Sequence, residues 1–311
     1  MSAAGRIRLA FAGALLALFA AAPAARAQGE PPFIYWDNTQ TSALGRATLD
    51  GGNVEQHVLS PIRTGLAADG QYVYWGQGGV LWRAALDGSG AEQLAVLSSG
   101  IQSIALDDHY IYVSAPSWVS RMTLDGKNFV EQFLPSGHGI YGGLAVDDQY
   151  IYWNADGSIG RADLDGTGID PGFIGGTARG FGIAVSGEHI YWSDQAGGSI
   201  GRANLDGSGV DASFIRYLPT PGLVSAHGGP RGLALDAQHI YWANGYGCDT
   251  TYSPPVCTGG TVGRANLDGS GVADPFIPAQ GGVGPGCGND PPVRCGPEYV
   301  AVSAPTQPAC V

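Results

Sequence analysis

The sequence predicts an all-β protein, a six-bladed β-propeller of four-stranded antiparallel blades, and three observations carry that expectation. The first is a period. Leu-Asp-Gly recurs at Leu49, Leu86, Leu124, Leu164, Leu205 and Leu267, each time with an arginine three residues earlier: Arg46, Arg83, Arg121, Arg161, Arg202 and Arg264. A tyrosine marks each copy at Tyr35, Tyr74, Tyr112, Tyr152, Tyr191 and Tyr241, so successive copies begin 39, 38, 40, 39 and 50 residues apart. Such a period, built of short β-branched and aromatic runs with almost no helical pattern, is that of propeller blades. The second observation is the hairpin signal inside each copy, as in Asp206-Gly207-Ser208-Gly209. Glycine tolerates the positive φ that tight hairpin turns require. The third is that the two ends complement each other. Pro31 to Ser60 has room for three strands and lacks the first of a blade, while Tyr299 to Ser303 is a first strand with nothing after it. If the N- and C-terminal strands pair in one blade, the ring closes and sheet edges remain only at the rims.

The elements follow in chain order. Met1 to Ala27 carries Arg6 and Arg8, an apolar run from Leu9 to Ala22, and Ala25-Arg26-Ala27 ahead of Gln28. That order reads as a secretory signal peptide over residues 1-27, cut near Ala27. The apolar run is too short for a bilayer span and ends in small residues. The protein is therefore expected to be secreted or periplasmic, with residues 28-311 forming a single propeller domain. Removing the signal takes three of the 15 Lys and Arg and none of the 27 Asp and Glu, leaving 12 against 27, a formal charge of −15. Nucleic acid and anionic membranes bind through basic patches, so this charge disfavours both as partners.

Within each copy four strands, a to d, are expected. Strand a falls at Gly65–Asp69, Ser103–Asp107, Gly143–Asp147, Gly182–Ser186, Gly232–Asp236 and Tyr299–Ser303; b holds the Tyr-Trp pair; c holds the arginine; d holds an apolar pair such as Phe276-Ile277. Turn residues bound each run. Three insertions break the period, at 216-230, 245-261 and 278-298. Strand direction alternates along a blade, so all three project from the face that carries the d-to-a and b-to-c connections, around adjacent blades. The opposite face keeps tight turns throughout.

Three features of the copies, the apolar-Ala-apolar-Asp strand of Leu233-Ala234-Leu235-Asp236, the Tyr-Trp pair and the Leu-Asp-Gly-Ser turn, resemble the class B, or YWTD, repeats of the low-density lipoprotein receptor. The resemblance spans Pro31 to Ser303 and implies a bacterial-like secreted member of that six-bladed propeller type. It does not extend to the receptor's partners. The Thr-Asp of that motif is replaced by Asp37-Asn38, Gly76-Gln77, Asn154-Ala155, Ser193-Asp194 and Ala243-Asn244, and the third blade reads Tyr112-Val113. Only Asp194 keeps the acid.

The repeat also separates scaffold from site. What recurs in every blade serves the blade: the six arginines as links between blades, the Tyr-Trp pairs as core, and the aspartates ending strand a (Asp69, Asp107, Asp147, Asp236) as caps of the following turn. His109, His189 and His239 are placed together in the a-to-b turn. Asp163-Leu164-Asp165-Gly166 lacks the further carboxylates of a calcium loop and reads as a turn. What differs from blade to blade is a candidate for function. At the entrance of the a strands on the loop-bearing face these residues are Arg63, Gln102, Tyr141, Arg179, Phe181, Arg231 and Glu298, with His138 and His227 nearby. Three arginines and two histidines at the mouth of an acidic protein suit an anionic or polar ligand, through bidentate hydrogen bonds from guanidinium.

All five cysteines lie in the last quarter. Cys248 and Cys257 share one insertion, Cys287 and Cys295 the next, so local disulfides would staple each loop, while crossed pairing between the loops stays open. Cys310 is the odd thiol, available for an intermolecular link.

No Ser or Cys nucleophile motif, His-Glu-x-x-His helix or phosphate-cradling glycine loop is present, so no catalytic residue, metal or cofactor is expected. The leading expectation is a secreted binding module that takes a protein or a small polar ligand on its loop-bearing face. One alternative is a lyase or lactonase-type enzyme, since the architecture distantly resembles the streptogramin lyases, with His138 or His227 as general base beside a metal at the channel mouth. Another is a cell-surface adhesion or assembly module linked through Cys310.

Overall fold

The computed structural model describes residues 32–38, 42–135, 142–177, 180–195, 197–216, 228–245, 247–249, 256–258, 261–278 and 299–303; at 38, 228, 245, 247–249 and 256–258 only the backbone is described. It is an all-β, six-bladed propeller. From the innermost strand outward, blade one is Val300–Val302, Phe33–Asn38, Ala43–Thr48 and Glu55–Leu59. Blade two is Thr64–Ala68, Tyr72–Gln77, Val80–Ala85 and Glu92–Val96. Blade three is Ser103–Leu106, Tyr110–Ala115, Trp118–Thr123 and Val130–Pro135. Blade four is Leu144–Val146, Tyr150–Ala155, Ser158–Asp163 and Asp170–Gly175. Blade five is Ile183–Val185, His189–Asp194, Ser199–Asn204 and Asp211–Arg216. Blade six is Gly228–Leu235, His239–Gly245, Val262–Asn266 and Ala273–Ile277. Each innermost strand touches the next, and the last touches the first.

Closure is as the end segments predict. Val300–Val302 pairs antiparallel with the N-terminal strand, Ile34 opposite Val302 and Trp36 opposite Val300. Side chains secure both ends of this short pairing: Phe33 N donates to Ser303 Oγ (2.9 Å) and Tyr299 N to Asp37 Oδ1 (2.7 Å).

The core is distributed over the seams. Six hydrophobic clusters each join two neighbouring blades, including the closing seam, where Ile34, Trp36 and Ala47 pack on Tyr241, Val262 and Ile277. Both faces of every blade are therefore buried, which is why strand b reads as a continuous apolar run. In four blades the strand b tryptophan lies opposite a strand c glycine: Trp36 and Gly45, Trp153 and Gly160, Trp192 and Gly201, Trp242 and Gly263. The indole occupies the space a side chain would need, so a Cβ at any of these glycines would overlap the ring. Blade three lacks the tryptophan and compensates. Val113 faces Ser120, and Met122, buried in the same cluster, stands where the other blades carry alanine, filling the space with a flexible thioether. In blade two the glycine is replaced by Trp82, stacked on Trp75 at 6.3 Å and 15°.

The arginines link the blades. A register shift between strands c and d falls beside each of them in blades one and three to six, and such bulges bend a strand and re-aim its side chains. Arg46 Nη1 donates to Leu86 O in the next blade (3.0 Å), Arg83 to Leu124 O (2.8 Å), Arg121 to Leu164 O (2.8 Å), Arg161 to Leu205 O (3.5 Å) and Arg264 to Leu49 O (3.1 Å). The guanidinium also lies over aromatic rings of its own blade, as Arg161 does over Phe173 at 3.8 Å and Tyr150 at 4.3 Å.

The aspartates ending strand a are caps. Asp69 Oδ1 accepts from the backbone of Gln71 and Tyr72, and its Oδ2 accepts from Tyr74 OH (2.8 Å); Asp107, Asp147 and Asp236 repeat the arrangement. Where strand a ends in serine, at Ser186 and Ser303, the tyrosine has no carboxylate there to donate to. Tyr191 OH then donates to Leu267 O and Tyr35 OH to Leu86 O, both in the next blade. Asp165 likewise accepts from Thr167 N and Oγ1 within its turn.

Two sequence expectations are corrected. The three histidines do not share one position. His189 and His239 take the place of Tyr72, Tyr110 and Tyr150, packing on the strand b tyrosine at 6.0 and 5.9 Å, whereas His109 sits one residue earlier, at the exposed turn. The inner strand of blade six also starts at Gly228, inside the first insertion, because Gly228 and Pro230 pair with Gly245 and Asn244 of a strand b one residue longer than in the other blades.

Candidate functional site

Strand b ends on the loop-bearing face, and the residue that ends the apolar run there is where the chain departs most from its own repeat: Asp37, Gly76, Ser114, Asn154, Ser193 and Asn244. Five of these are polar and buried. A buried polar group needs a partner, and Asp37, Ser114, Asn154 and Ser193 bond to the backbone at the entrances of the a strands. Ser193 Oγ accepts from Phe181 N (3.2 Å) and Gly182 N (2.9 Å); Asn154 Nδ2 donates to Gly182 O across the seam (3.1 Å). Asn244 Nδ2 donates to Thr261 Oγ1 (2.8 Å) and Asp274 Oδ1 (2.7 Å), tying strand b of blade six to its outer strands. In blades one, three, four and five the departures at the Thr-Asp position thus bond to the entrances of the a strands.

On that frame the structure brings two of the sequence candidates together. Arg231, half-buried in the inner strand of blade six, lies over the ring of Phe181 of blade five, 5.2 Å from its centroid. With the Gln195 amide oxygen turned towards it, Arg231 donates through Nε (3.1 Å) and Nη2 (3.0 Å). Gln195 was not singled out by the sequence pattern. Its signal is length: the b-to-c connection of blade five runs from residue 195 to 198, against only residues 156 and 157 in blade four. The same seam has a shallow surface crevice lined in part by Ile215, Arg216, Pro230 and Trp242.

The other candidates stand apart or fall elsewhere. Arg63 is exposed at the entrance of blade two. Gln102 is half-buried, its backbone N bonded to Ser114 O (2.9 Å) and its Oε1 buried with no hydrogen-bond partner. His138, Tyr141, Arg179, His227 and Glu298 lie outside the described residues, as do Cys287, Cys295 and Cys310, the signal segment, and most of the insertions. Cys248 and Cys257 lie opposite each other in a small antiparallel pair, Gly247–Asp249 with Val256–Thr258, that rises from the 245–261 insertion.

Charge is divided between the two faces. Of the 12 Lys and Arg after residue 27, six are the repeat arginines of strand c and Lys127 pairs with Asp125 in its turn (2.8 Å). Of the remaining five, Arg63, Arg216 and Arg231 are among the described residues, and these three lie in or beside d-to-a connections on the loop-bearing face. The turn-bearing face holds the Leu-Asp-Gly carboxylates and the strand a caps. The carboxyls of Asp87, Asp165, Asp206 and Asp268 sit below their ordinary values because a hydroxyl and a backbone N–H two residues on both donate to them. On the same face burial, with Arg202 nearby, lowers the pKa of His189. Among the described residues no group of three or more His, Cys, Asp or Glu is placed to hold a metal ion, and no helix is long and apolar enough to cross a membrane.

No family model and no curated protein sequence matches the chain. Solved structures do. A chain of the nidogen/laminin complex aligns with a TM-score of 0.65 at 16% identity, over 88% of this chain and 98% of that one. A putative TolB from Agrobacterium tumefaciens aligns with a TM-score of 0.52 at 17% identity, over 79% and 88%. At these identities the likeness is one of fold, and it agrees with the propeller read from the repeat.

Proposed function

We propose that this chain is an exported β-propeller binding module that recognises an anionic or polar ligand, a protein surface or a small molecule, on its loop-bearing face near the seam of blades five and six. One observation carries the reading: Arg231 is held over Phe181 and, with the Gln195 amide oxygen turned towards it, bonded to Gln195, on the face where the other described arginines outside the blade scaffold, Arg63 and Arg216, also lie. A guanidinium stacked on a ring and fixed along one edge loses little further freedom when a carboxylate, sulfate or phosphate docks, which favours such anions over neutral ligands. Site residues on connections carried by a rigid scaffold are the usual arrangement for recognition. The fold is compatible with that role, since a chain of the nidogen/laminin complex shares it, although fold alone never fixes function.

The test is binding of the chain from Gln28 onward to an immobilised panel of acidic oligosaccharides and acidic peptides beside their neutral counterparts. Acidic probes should be retained preferentially. Arg231→Met and Phe181→Ala should each weaken retention about tenfold, while Asp165→Asn on the opposite face leaves it unchanged. Equal retention of neutral probes, or loss of binding on Asp165→Asn alone, would overturn the assignment. Export is tested by N-terminal sequencing of the protein recovered outside the cytoplasm, which should begin near Gln28.

A further inference from the structure

The structure assigns Cys248 and Cys257 to one disulfide, closed across a two-stranded arm that rises from the loop-bearing mouth. The sequence leaves two kinds of pairing open for these two thiols: with each other, or with Cys287 and Cys295 of the neighbouring insertion. Register decides between them. Gly247, Cys248 and Asp249 pair antiparallel with Thr258, Cys257 and Val256, so the two cysteines are direct cross-strand partners. Directly opposed residues of an antiparallel pair have Cα atoms about 4.5 or 5.5 Å apart, and either spacing lies inside the window of about 4.4–6.8 Å that a disulfide requires.

The arm also needs the bond. It is a sheet of only two strands of three residues each, separate from the six blades. An isolated pair of that length is at best marginal in water, and a covalent tie across it would stabilise it. In the chain the arm follows strand b of blade six, His239–Gly245, the strand that pairs with Gly228 and Pro230. This inference is independent of which ligand the mouth takes.

The chemistry balances with oxidised glutathione as the oxidant. One cysteine thiolate attacks the glutathione disulfide, forming a mixed disulfide and releasing one glutathione thiolate. The second cysteine then attacks the mixed disulfide, forming the protein S–S bond and releasing the second thiolate. Two protein thiols are oxidised and one glutathione disulfide is reduced.

Tryptic mapping reads the outcome directly. Arg231, Arg264 and Arg294 place Cys248 and Cys257 together in the peptide 232–264, Cys287 in 265–294, and Cys295 with Cys310 in 295–311. The chain from Gln28 onward is equilibrated in a glutathione redox buffer, alkylated, and digested without reduction. Peptide 232–264 should be released alone, unalkylated and lighter by two hydrogens than its reduced form. Recovery of that peptide joined to 265–294 or to 295–311, or carrying two alkyl groups, would overturn the pairing.

Discussion

Substitution of Gly201 by alanine tests the packing rule of the blades. Trp192 is 1% exposed and lies opposite Gly201 in register, and the atoms nearest to an added Cβ belong to its indole ring. Overpacking a tight core costs about 1–3 kcal/mol, and the direct overlap with a ring locked between two blades puts this site at the upper end. Alanine in a strand interior regains about 0.5–1 kcal/mol over glycine, so the net loss should be about 2 kcal/mol. Trp192→Val alone should cost about 3 kcal/mol by opening a cavity. The double variant should be no less stable than Trp192→Val, because the new methyl enters the space the indole has left. That amounts to a favourable coupling of about 2 kcal/mol. Blade three, with Val113 and Ser120 in these positions, is a natural precedent. The assay is urea unfolding followed by circular dichroism on all four members of the cycle. Losses that add to within about 0.5 kcal/mol, or a Gly201→Ala variant as stable as the parent, would refute the reasoning.

Other consequences can be measured in the same way. Ser120 is fully buried and its hydroxyl has no hydrogen-bond partner, so Ser120→Ala should stabilise the protein by about 1 kcal/mol, and a lowered urea midpoint would count against this. Arg121→Lys should destabilise by about 1–2 kcal/mol, because lysine cannot both reach Leu164 O and lie between Phe133 and Tyr110, now 3.9 and 4.5 Å from the guanidinium; an unchanged midpoint would show that the link is dispensable. Burial pushes the Asp236 carboxyl up, but hydrogen bonds from Gln238 N, Tyr241 OH and His239 outweigh it and hold it below its ordinary value. A carboxyl lowered in the folded state contributes stability above its unfolded pKa of about 3.9 and loses it as the pH falls through the lower folded value. Asp236→Asn should therefore be less stable than the parent near neutrality, with the gap closing on acidification, and a gap of constant size across that range would contradict the cap.

Much of the fold is legible in the residues because every blade solves the same problem. The forty-residue spacing, the glycine turns and the complementary ends state strand order and closure, and a repeated arginine, tyrosine or aspartate reveals itself as scaffold by recurring. The function of each recurring residue also follows its neighbour along the chain: whether Tyr191 bonds within its blade or to the next is written in Ser186 standing where other blades have aspartate.

Sequence by itself therefore determined the architecture and the share of the terminal strands in one blade. Tertiary structure alone decided which of the repeat-breaking residues meet. Phe181 and Arg231 are fifty residues apart in sequence and come together only because blades five and six are neighbours; Gln195, silent in the pattern, completes the contact from a connection slightly longer than its sibling. The same holds for Met122, whose role appears only once Val113 leaves space beside it. A period fixes what each strand does within its own blade, whereas contacts across a seam depend on two unrelated stretches of chain and on the volumes between them. Those distances and volumes exist only in the closed ring.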